Sequence, residues 1–422
     1  MQHPVMHPAM HSRIDSHVDA GQTAAVAFLQ ELVRVPTDTP PGDNAAHAAR
    51  TAELLEAMGF AVERHVVPQA EVEAAGLKSV TNLIVRHRFG AGPVIALNAH
   101  GDVVPPGEGW TRPPYGAVIE NGRLYGRGAA VSKSDFATFT FALRALKAIS
   151  NEPSVRLAGT IELHFTYDEE FGGELGPAWL LRRGLTRPDL ALGPGFSHAI
   201  VTAHNGCLQL EVTIHGRAAH AAMPETGVDA IEAAVGILAS LYAERAHYAS
   251  VQSQVPGIAS PTINIGRIEG GTNTNVVPAR VVLKLDRRMI PEEEPAEVEA
   301  GLRELIERAS ARVPGAKVDI RRLLLARALT PRPGHERLVT ALQQHARRVM
   351  NEDIPATGTP LYTDARLYGE AGVPAVLYGA GPRSILEANA KRADENVDLE
   401  DLRSATKVVA AALFDLLADS PG

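Results

Sequence analysis

Two short apolar runs that end in ionisable side chains constrain the fold of this chain most strongly. The run at 94–97 leads to His100 and Asp102, and the run at 159–166 leads to three carboxylates at 168–170. Each run has the length of a buried strand, and helical patterns separate the strand patterns along the chain. Open α/β sheets gather polar side chains at the carboxyl ends of their strands. The sequence therefore predicts an α/β domain with a mostly parallel sheet.

A second domain is predicted where the pattern changes at residue 207. Strand and helix patterns then follow in the order βαββαβ, with strands at 208–214, 262–268, 279–285 and 318–323 and helices at 228–243 and 298–309. This order is typical of the ferredoxin-like α+β fold. We predict an inserted domain at 207–324, which divides the α/β domain into 23–206 and 325–422. Residues 1–22 are predicted to be a loose N-terminal tail.

Composition and charge exclude several classes of partner. The 422 residues carry 41 basic and 49 acidic side chains, and the net charge of −8 offers no basic surface for nucleic acid. No apolar run approaches the roughly 20 residues that span a membrane, and the N-terminus lacks the apolar core of a signal peptide. We therefore expect a cytoplasmic protein without a membrane partner. Because Cys207 is the only cysteine, a metal site would have to use histidine and carboxylate ligands.

The segment from His100 to Asp135 has the pattern of half a metal site. His100 would stand at the carboxyl end of a strand, and Asp102 follows at the spacing that lets a carboxylate orient an imidazole. The second half would begin at position 131, but Val131 has a side chain that binds no cation. Four histidines at 3, 7, 11 and 17 lie in the predicted tail, where no fold arranges them into a site.

Seven motifs occur in the order of one known family. They are HGDVVPPGEGW, NGRLYGRGA, TYDEEFGG, HGRAAHAAMPETGVDAI, GGTNTNVVP, DRRMIP and TDARLYGEAGVPAVLYGAG. Over nearly its whole length after residue 23, the chain resembles the co-catalytic zinc exopeptidase and deacylase family. That family includes carboxypeptidase G, acetylornithine deacetylase, succinyl-diaminopimelate desuccinylase and aminoacylase. The resemblance implies a catalytic domain of the zinc-exopeptidase type, an inserted lid and dimerisation domain, and a homodimer.

The resemblance implies roles for four residues of the catalytic domain. His100 would be a ligand of the first metal, with Asp102 as the carboxylate that orients it. Glu169 would be the general base, and Glu170 would be a ligand of the second metal. All four residue types suit these roles, since imidazole and carboxylate groups bind divalent metals and a carboxylate can accept a proton from water.

The resemblance also implies roles for three residues of the inserted domain. His220 would reach across a dimer to polarise the scissile carbonyl group. Asn275 and Arg288 would hold the carboxylate of the substrate, and a guanidinium suits this role because it can form two parallel hydrogen bonds. Arg287, next to Arg288, leaves the choice of arginine open.

Three other ligand positions of the family are replaced. The bridging aspartate falls on Val131, a further carboxylate falls near Gly195, and the final histidine falls on Lys391. Each metal position keeps one protein ligand, so an ordinary dinuclear zinc site is not expected. One hypothesis is that the ammonium of Lys391 pairs with Glu170, and also with Glu169, in place of the second ion. A surface lysine after a shift of alignment is the other interpretation.

A rebuilt site with one divalent ion, zinc, manganese or cobalt, is the remaining possibility for a metal. Candidate replacement ligands are His198, His204, Asp135 and Asp364, although lone histidines are more often structural. Asp135 is more simply the N-cap of a helix that begins at 136. For Asp364, a helix cap or a pair with Arg366 is the alternative to a ligand role.

The leading prediction is a hydrolase that cleaves an amide-type carbon–nitrogen bond of a small carboxylate-bearing substrate, an N-acyl amino acid or a dipeptide. Its metal site would be reduced or rebuilt. A metal-independent enzyme that uses Glu169, Lys391 and His220 is one alternative, and a non-catalytic dimeric binder of amino-acid-like ligands is another. The retained base favours an enzyme. A Ser–Lys nucleophile at 132–134 is disfavoured, because adjacent residues seldom face each other.

Overall fold

The computed structural model describes residues 8–418, which divide into two compact units. The first unit comprises the described chain up to Thr202, Pro331–Thr357 and the chain from Thr363 onward. The second comprises Ala203–Thr330 and Gly358–Tyr362. The sequence prediction placed the inserted domain at 207–324. Within residues 8–418, no helix is long and apolar enough to cross a membrane.

Helices and strands alternate along much of the chain. The helices are α1 Pro8–Val33, α2 Ala45–Ala57, α3 Gln69–Ala74, α4 Lys133–Ser150, α5 Pro177–Arg182, α6 Ala230–Tyr248, α7 Pro295–Ser310, α8 His335–Met350, α9 Ala365–Glu370 and α10 Leu399–Leu417. The strands are β1 Val62–Val66, β2 Thr81–Arg88, β3 Val94–His100, β4 Val118–Glu120, β5 Arg123–Tyr125, β6 Thr160–Thr166, β7 Leu190–Gly193, β8 Ile200–His204, β9 Gly206–His215, β10 Thr262–Gly270, β11 Arg280–Met289, β12 Lys317–Ala326, β13 Ala356–Thr359, β14 Ala375–Leu377 and β15 Asn396–Asp398.

The main sheet confirms the α/β prediction. Its strand order is β1-β2-β6-β3-β7-β14-β8-β13. The four central strands, β6, β3, β7 and β14, run parallel, and antiparallel pairs lie toward the margins. Nearly every residue of β3 and β6 is buried, as expected for strands that are covered on both faces. Helix α4 contributes to this cover and packs against both α1 and α10.

Helix α1 shows that the prediction of a loose tail is wrong for residues 8–22. These residues form its first half, in which Ile14 and Val18 are buried and extend an apolar stripe to Phe28. This spacing of four residues is helical. The polar residues between them, including a buried His11, obscured the pattern. Residues 1–7, with two of the four N-terminal histidines, lie outside the described part of the chain.

The second unit has the βαββαβ order that the sequence predicted. Its strands form an antiparallel sheet in the order β10-β11-β9-β12, and α6 and α7 pack against that sheet. Burial alternates along β9, which indicates that one face of the sheet is covered and the other is more open. The buried face of β9 contributes Leu208, Leu210, Val212 and Ile214 to a core shared with both helices.

Candidate active site

Two neighbouring strands of the first unit bring the predicted polar clusters together. Strands β3 and β6 pair in parallel with His100 opposite Thr166, so their carboxyl ends lie side by side. Asp102 lies two residues beyond the end of β3. The 3-10 turn Glu169–Phe171 follows β6. The strand-end cluster of His100, Asp102, Glu169 and Glu170 is therefore a consequence of the parallel register.

Ionic contacts connect the members of the strand-end cluster. His100 Nδ1 lies 3.4 Å from Asp102 Oδ1, and His100 Nε2 lies 3.9 Å from Glu169 Oε2. Asp102 Oδ2 accepts a hydrogen bond of 2.9 Å from the backbone N–H of Glu170, which ties the two strand ends together. Burial by itself lowers the pKa of His100, but the charges of Glu169, Asp102 and Glu170 outweigh it and raise the pKa to about 10.

Lys391 reaches this cluster from a loop between β14 and β15. Its Nζ lies 2.6 Å from Glu170 Oε2 and donates a hydrogen bond to it. The lysine side chain is 52% exposed, whereas that of Glu170 is 8% exposed. Burial raises the pKa of Glu170 to about 7, and the ammonium of Lys391 opposes this rise. The ion pair proposed from the sequence is thus present in the structure.

Three positions at which the family resemblance implies metal ligands carry no ligand side chain here. Val131 offers no donor atom, and a Cβ atom on Gly195 would lie only 2.7 Å from the backbone nitrogen of Tyr378, so that position has no room for a ligand side chain. Lys391 places a positively charged ammonium group beside Glu170, at the position where a second metal ion would need a ligand with a lone pair. Within residues 8–418, the strand-end cluster also contains no group of three donors lying within 4.8 Å of one another.

A buried ion pair that the sequence did not indicate holds the backbone at Val131. Arg127 Nη1 donates to Glu395 Oε2 at 2.5 Å, and the two side chains are 1% and 2% exposed. Glu395 Oε1 accepts hydrogen bonds from the backbone N–H groups of Ala130 and Val131 at 3.1 and 3.3 Å. The pair joins residues 268 positions apart, so no local pattern could reveal it.

The predicted capping roles of two aspartates are wrong. Helix α4 begins at Lys133, so Asp135 lies inside its first turn rather than at the N-cap, and its Oδ1 accepts from the backbone N–H of Ala380 at 2.8 Å. Asp364 occupies the N-cap position of α9 but makes no capping hydrogen bond, and Arg366 binds Glu370 instead. Asp364 is buried against the turn that carries Glu169, since a Cβ atom on Gly173 would lie 2.1 Å from its Oδ1.

The other candidate donors have different partners. His198 contacts Glu352 Oε2 at 2.9 Å and Asp401 Oδ1 at 3.2 Å, and buried His204 contacts the carbonyl oxygen of Asn205 at 2.9 Å. Neither histidine is brought to the strand-end cluster by these contacts. They are better explained as structural hydrogen-bonding residues.

The Ser–Lys nucleophile receives no support. Ser132 Oγ contacts the backbone nitrogen and oxygen of His100, each at 2.9 Å. Lys133 is buried, and its Nζ donates to the carbonyl oxygen of Val35 at 3.1 Å. Burial lowers the pKa of Lys133 to about 7. The two side chains therefore make separate contacts and do not form a nucleophile and base.

Within the second unit, two of the three predicted substrate residues lie together and the third is distant. Exposed His220 lies in a loop bridged to that of Asn275, because the backbone N–H of Ala221 donates to the carbonyl oxygen of Asn275 at 3.0 Å. Arg288 stands near the end of β11, whereas the loop with Asn275 precedes its start at Arg280. Eight residues of extended strand separate these ends by about 27 Å. Arg288 Nε donates to Asp286 Oδ1 at 2.7 Å.

The first unit is an α/β fold that carries the strand-end cluster, and an α+β unit interrupts it in sequence. Together these features define a two-domain hydrolase of the exopeptidase type. Residues 96–415 match the family model described as peptidase family M20/M25/M40. The chain belongs to this family, and it is a hydrolase. It is 30% identical over 412 residues to a succinyl-diaminopimelate desuccinylase of Methylobacterium sp. (strain 4-46), which covers 94% of this chain and 95% of the relative.

Solved structures share the fold at low sequence identity. Human carnosine dipeptidase 1 superposes with a TM-score of 0.75 at 18% identity, covering 97% of this chain and 99% of the dipeptidase. A dinuclear metal-binding peptidase of the M20 family from Bacillus subtilis superposes with a TM-score of 0.67 at 18% identity, covering 94% and 99% of the two chains. The present chain thus shares the fold of a protein that binds two metals.

Proposed function

We propose that this hydrolase cleaves an amide-type carbon–nitrogen bond in a small carboxylate-bearing substrate of the N-acyl amino acid or dipeptide class, at a metal site reduced to at most one divalent ion. The main support for the reduced metal site is the ammonium of Lys391, which lies 2.6 Å from Glu170 Oε2. The desuccinylase and dipeptidase among its relatives support the substrate class. Family membership favours a hydrolase over a non-catalytic binder. A cytoplasmic location remains a prediction.

In this proposal, Glu169 is the general base. Its carboxylate accepts a proton from a water molecule whose oxygen bonds to the carbonyl carbon, and it returns the proton to the nitrogen as the carbon–nitrogen bond breaks. The ammonium of Lys391, oriented by Glu170, supplies positive charge for the oxyanion that develops on the carbonyl oxygen. In this arrangement the side chain of Lys391 supplies part of the positive charge that a metal ion would supply. The proposal therefore favours a reaction that proceeds without a metal.

The proposal includes a homodimer. A substrate held by Arg288 together with Asn275 and His220 needs two chains, because one chain places these residues at opposite ends of β11. Strand β10 forms an edge of its sheet. Large apolar side chains are exposed on α6 and β10, namely Ile231, Val235, Tyr242 and Ile268. An unpaired edge beside an apolar helix face supports a self-complementary contact between two copies.

Turnover with and without metal tests the proposal. Untagged protein is stripped with a chelator and assayed on a panel of N-acyl amino acids and dipeptides. We expect turnover to survive chelation, and we expect Lys391→Met to lower kcat by about 100-fold, the usual effect of losing one oxyanion-stabilising group. The charge-matched control is Arg392→Met, on the exposed neighbouring residue. Turnover that disappears on chelation and returns only when two zinc ions occupy the strand-end cluster, as seen in an anomalous difference map, would refute the proposal.

A further inference from the structure

Three helices of the first unit converge on a buried cluster of metal-binding side chains that the proposed reaction does not use. His11 lies on α1, His345 on α8 and Asp415 on α10. Their side chains are 2%, 0% and 7% exposed. Within residues 8–418, this is the one group of three or more histidine, cysteine or acidic side chains whose donor atoms all lie within 4.8 Å of one another.

The donor atoms of this helix-junction cluster converge on one carboxylate. His11 Nε2 lies 2.7 Å from Asp415 Oδ1, and His345 Nε2 lies 2.7 Å from Asp415 Oδ2. The two imidazole rings meet edge to face, with centroids 4.5 Å apart. We propose that His11, His345 and Asp415 form a binding site for one zinc-like divalent cation, separate from the strand-end cluster.

The chemistry of these residues fits zinc better than calcium or magnesium. Two imidazole nitrogens and a carboxylate are ligands that Zn²⁺ favours, whereas hard cations require mostly oxygen ligands. Ligands about 2.0–2.2 Å from a tetrahedral ion lie roughly 3.3 Å apart, so the present 2.7 Å contacts need to open by only several tenths of an ångström. Both carboxylate oxygens are directed to the imidazoles, so Asp415 can bind through one oxygen or both.

Arg348 opposes the cation in the arrangement seen here. Its Nε donates to His345 Nδ1 at 3.2 Å, which leaves the proton of a neutral imidazole on Nε2. Metal binding at Nε2 requires the other tautomer, with the proton on Nδ1, so Arg348 must turn away. Its guanidinium also binds Asp15, at 2.5 and 3.1 Å, and this surface contact can hold it after it leaves His345. Removal of Arg348 should therefore strengthen metal binding.

A bound cation would attach the start of α1 to α8 and α10. The contact between His11 and Asp415 spans 404 residues of sequence, so the cation would close most of the chain into a loop. Because an ion bound only by the folded state stabilises it by mass action, zinc should raise the unfolding temperature of the whole protein. This role is structural, and it does not depend on the proposed catalytic function.

Zinc titration of the untagged, chelator-stripped chain tests the site. We expect one zinc ion to bind, His345→Asn to weaken its affinity by at least about 100-fold, and Arg348→Met to strengthen it by roughly tenfold. The matched control is His335→Asn, which changes a partly exposed histidine on the same helix and should leave the affinity unchanged. Equal affinities for wild type and His345→Asn would overturn the proposal, because the ion would then lie elsewhere.

Crystals soaked in zinc provide a test that needs no variant. An anomalous difference peak between His11, His345 and Asp415 would establish the site even if His345→Asn fails to fold. A map with zinc only at the strand-end cluster or near the N-terminal histidines, or with no zinc, would overturn it. The same map tests the two proposals separately, because zinc in the helix-junction cluster and zinc in the strand-end cluster give peaks at different places. Zinc in the first and none in the second would support both proposals.

Discussion

Replacement of Lys391 by methionine tests whether its ammonium compensates a buried carboxylate. Methionine keeps much of the length of the side chain but removes the charge that lies 2.6 Å from Glu170 Oε2. Glu170 is 8% exposed, so the carboxylate would be left largely buried and unpaired. The folded state is therefore expected to lose stability, since an unpaired buried charge is unfavourable.

Exposure of the two partners bounds the size of this loss. Exposed ion pairs contribute at most about 1 kcal/mol, and breaking a buried pair costs about 3–5 kcal/mol. This pair is intermediate, because the lysine is 52% exposed and water screens its charge. We expect Lys391→Met to lower the free energy of unfolding by about 2 kcal/mol.

Urea unfolding followed by tryptophan fluorescence measures this loss. Both tryptophans, Trp110 and Trp179, lie in the first unit, so their emission reports on the unit that contains Lys391. The midpoint should fall for Lys391→Met with an unchanged slope, and it should stay constant for the control Arg392→Met. Equal midpoints for both variants and the wild type, within about 0.5 kcal/mol, would refute the idea that Lys391 compensates Glu170.

Two further predictions concern buried charges of the first unit. Glu395→Gln keeps the shape of the side chain but leaves the buried guanidinium of Arg127 without its negatively charged partner. The free energy of unfolding should therefore fall by about 3–5 kcal/mol in the same urea assay, and a loss below about 1 kcal/mol would contradict this. Burial raises the pKa of Asp135 from 3.8 to about 8, so the folded state binds this proton more tightly than the unfolded state does. Its contribution to stability is complete below pH 3.8 and is lost as the pH rises toward 8, by at most about 1.4 kcal/mol per pH unit. Asp135→Asn should remove this pH dependence of unfolding, and identical pH profiles for variant and wild type would show that the pKa is not raised.

Features that depend on residues close together in sequence could be predicted, whereas features that depend on distant residues could not. Strands β3 and β6 and the residues that follow them were predictable, because apolar runs and the residues after them are adjacent in sequence. The first half of α1 was missed, since a short apolar stripe among polar residues gives a weak local signal. The N-cap of α4 was misplaced by three residues, from Ser132 to Asp135, because both residue types cap helices.

The sequence by itself determined the fold class, the family and the absence of donor atoms at Val131, since these depend on residue type and on patterns within a few tens of residues. Only the tertiary structure decided that Lys391 meets Glu170 across 221 residues of sequence. It also decided that His11 and Asp415 meet across 404 residues. Such contacts depend on how strands and helices pack, and no local propensity encodes that packing. Val131, Gly195 and Lys391 could therefore be singled out from the chain, whereas the contact between Lys391 and Glu170 could be identified only in the fold.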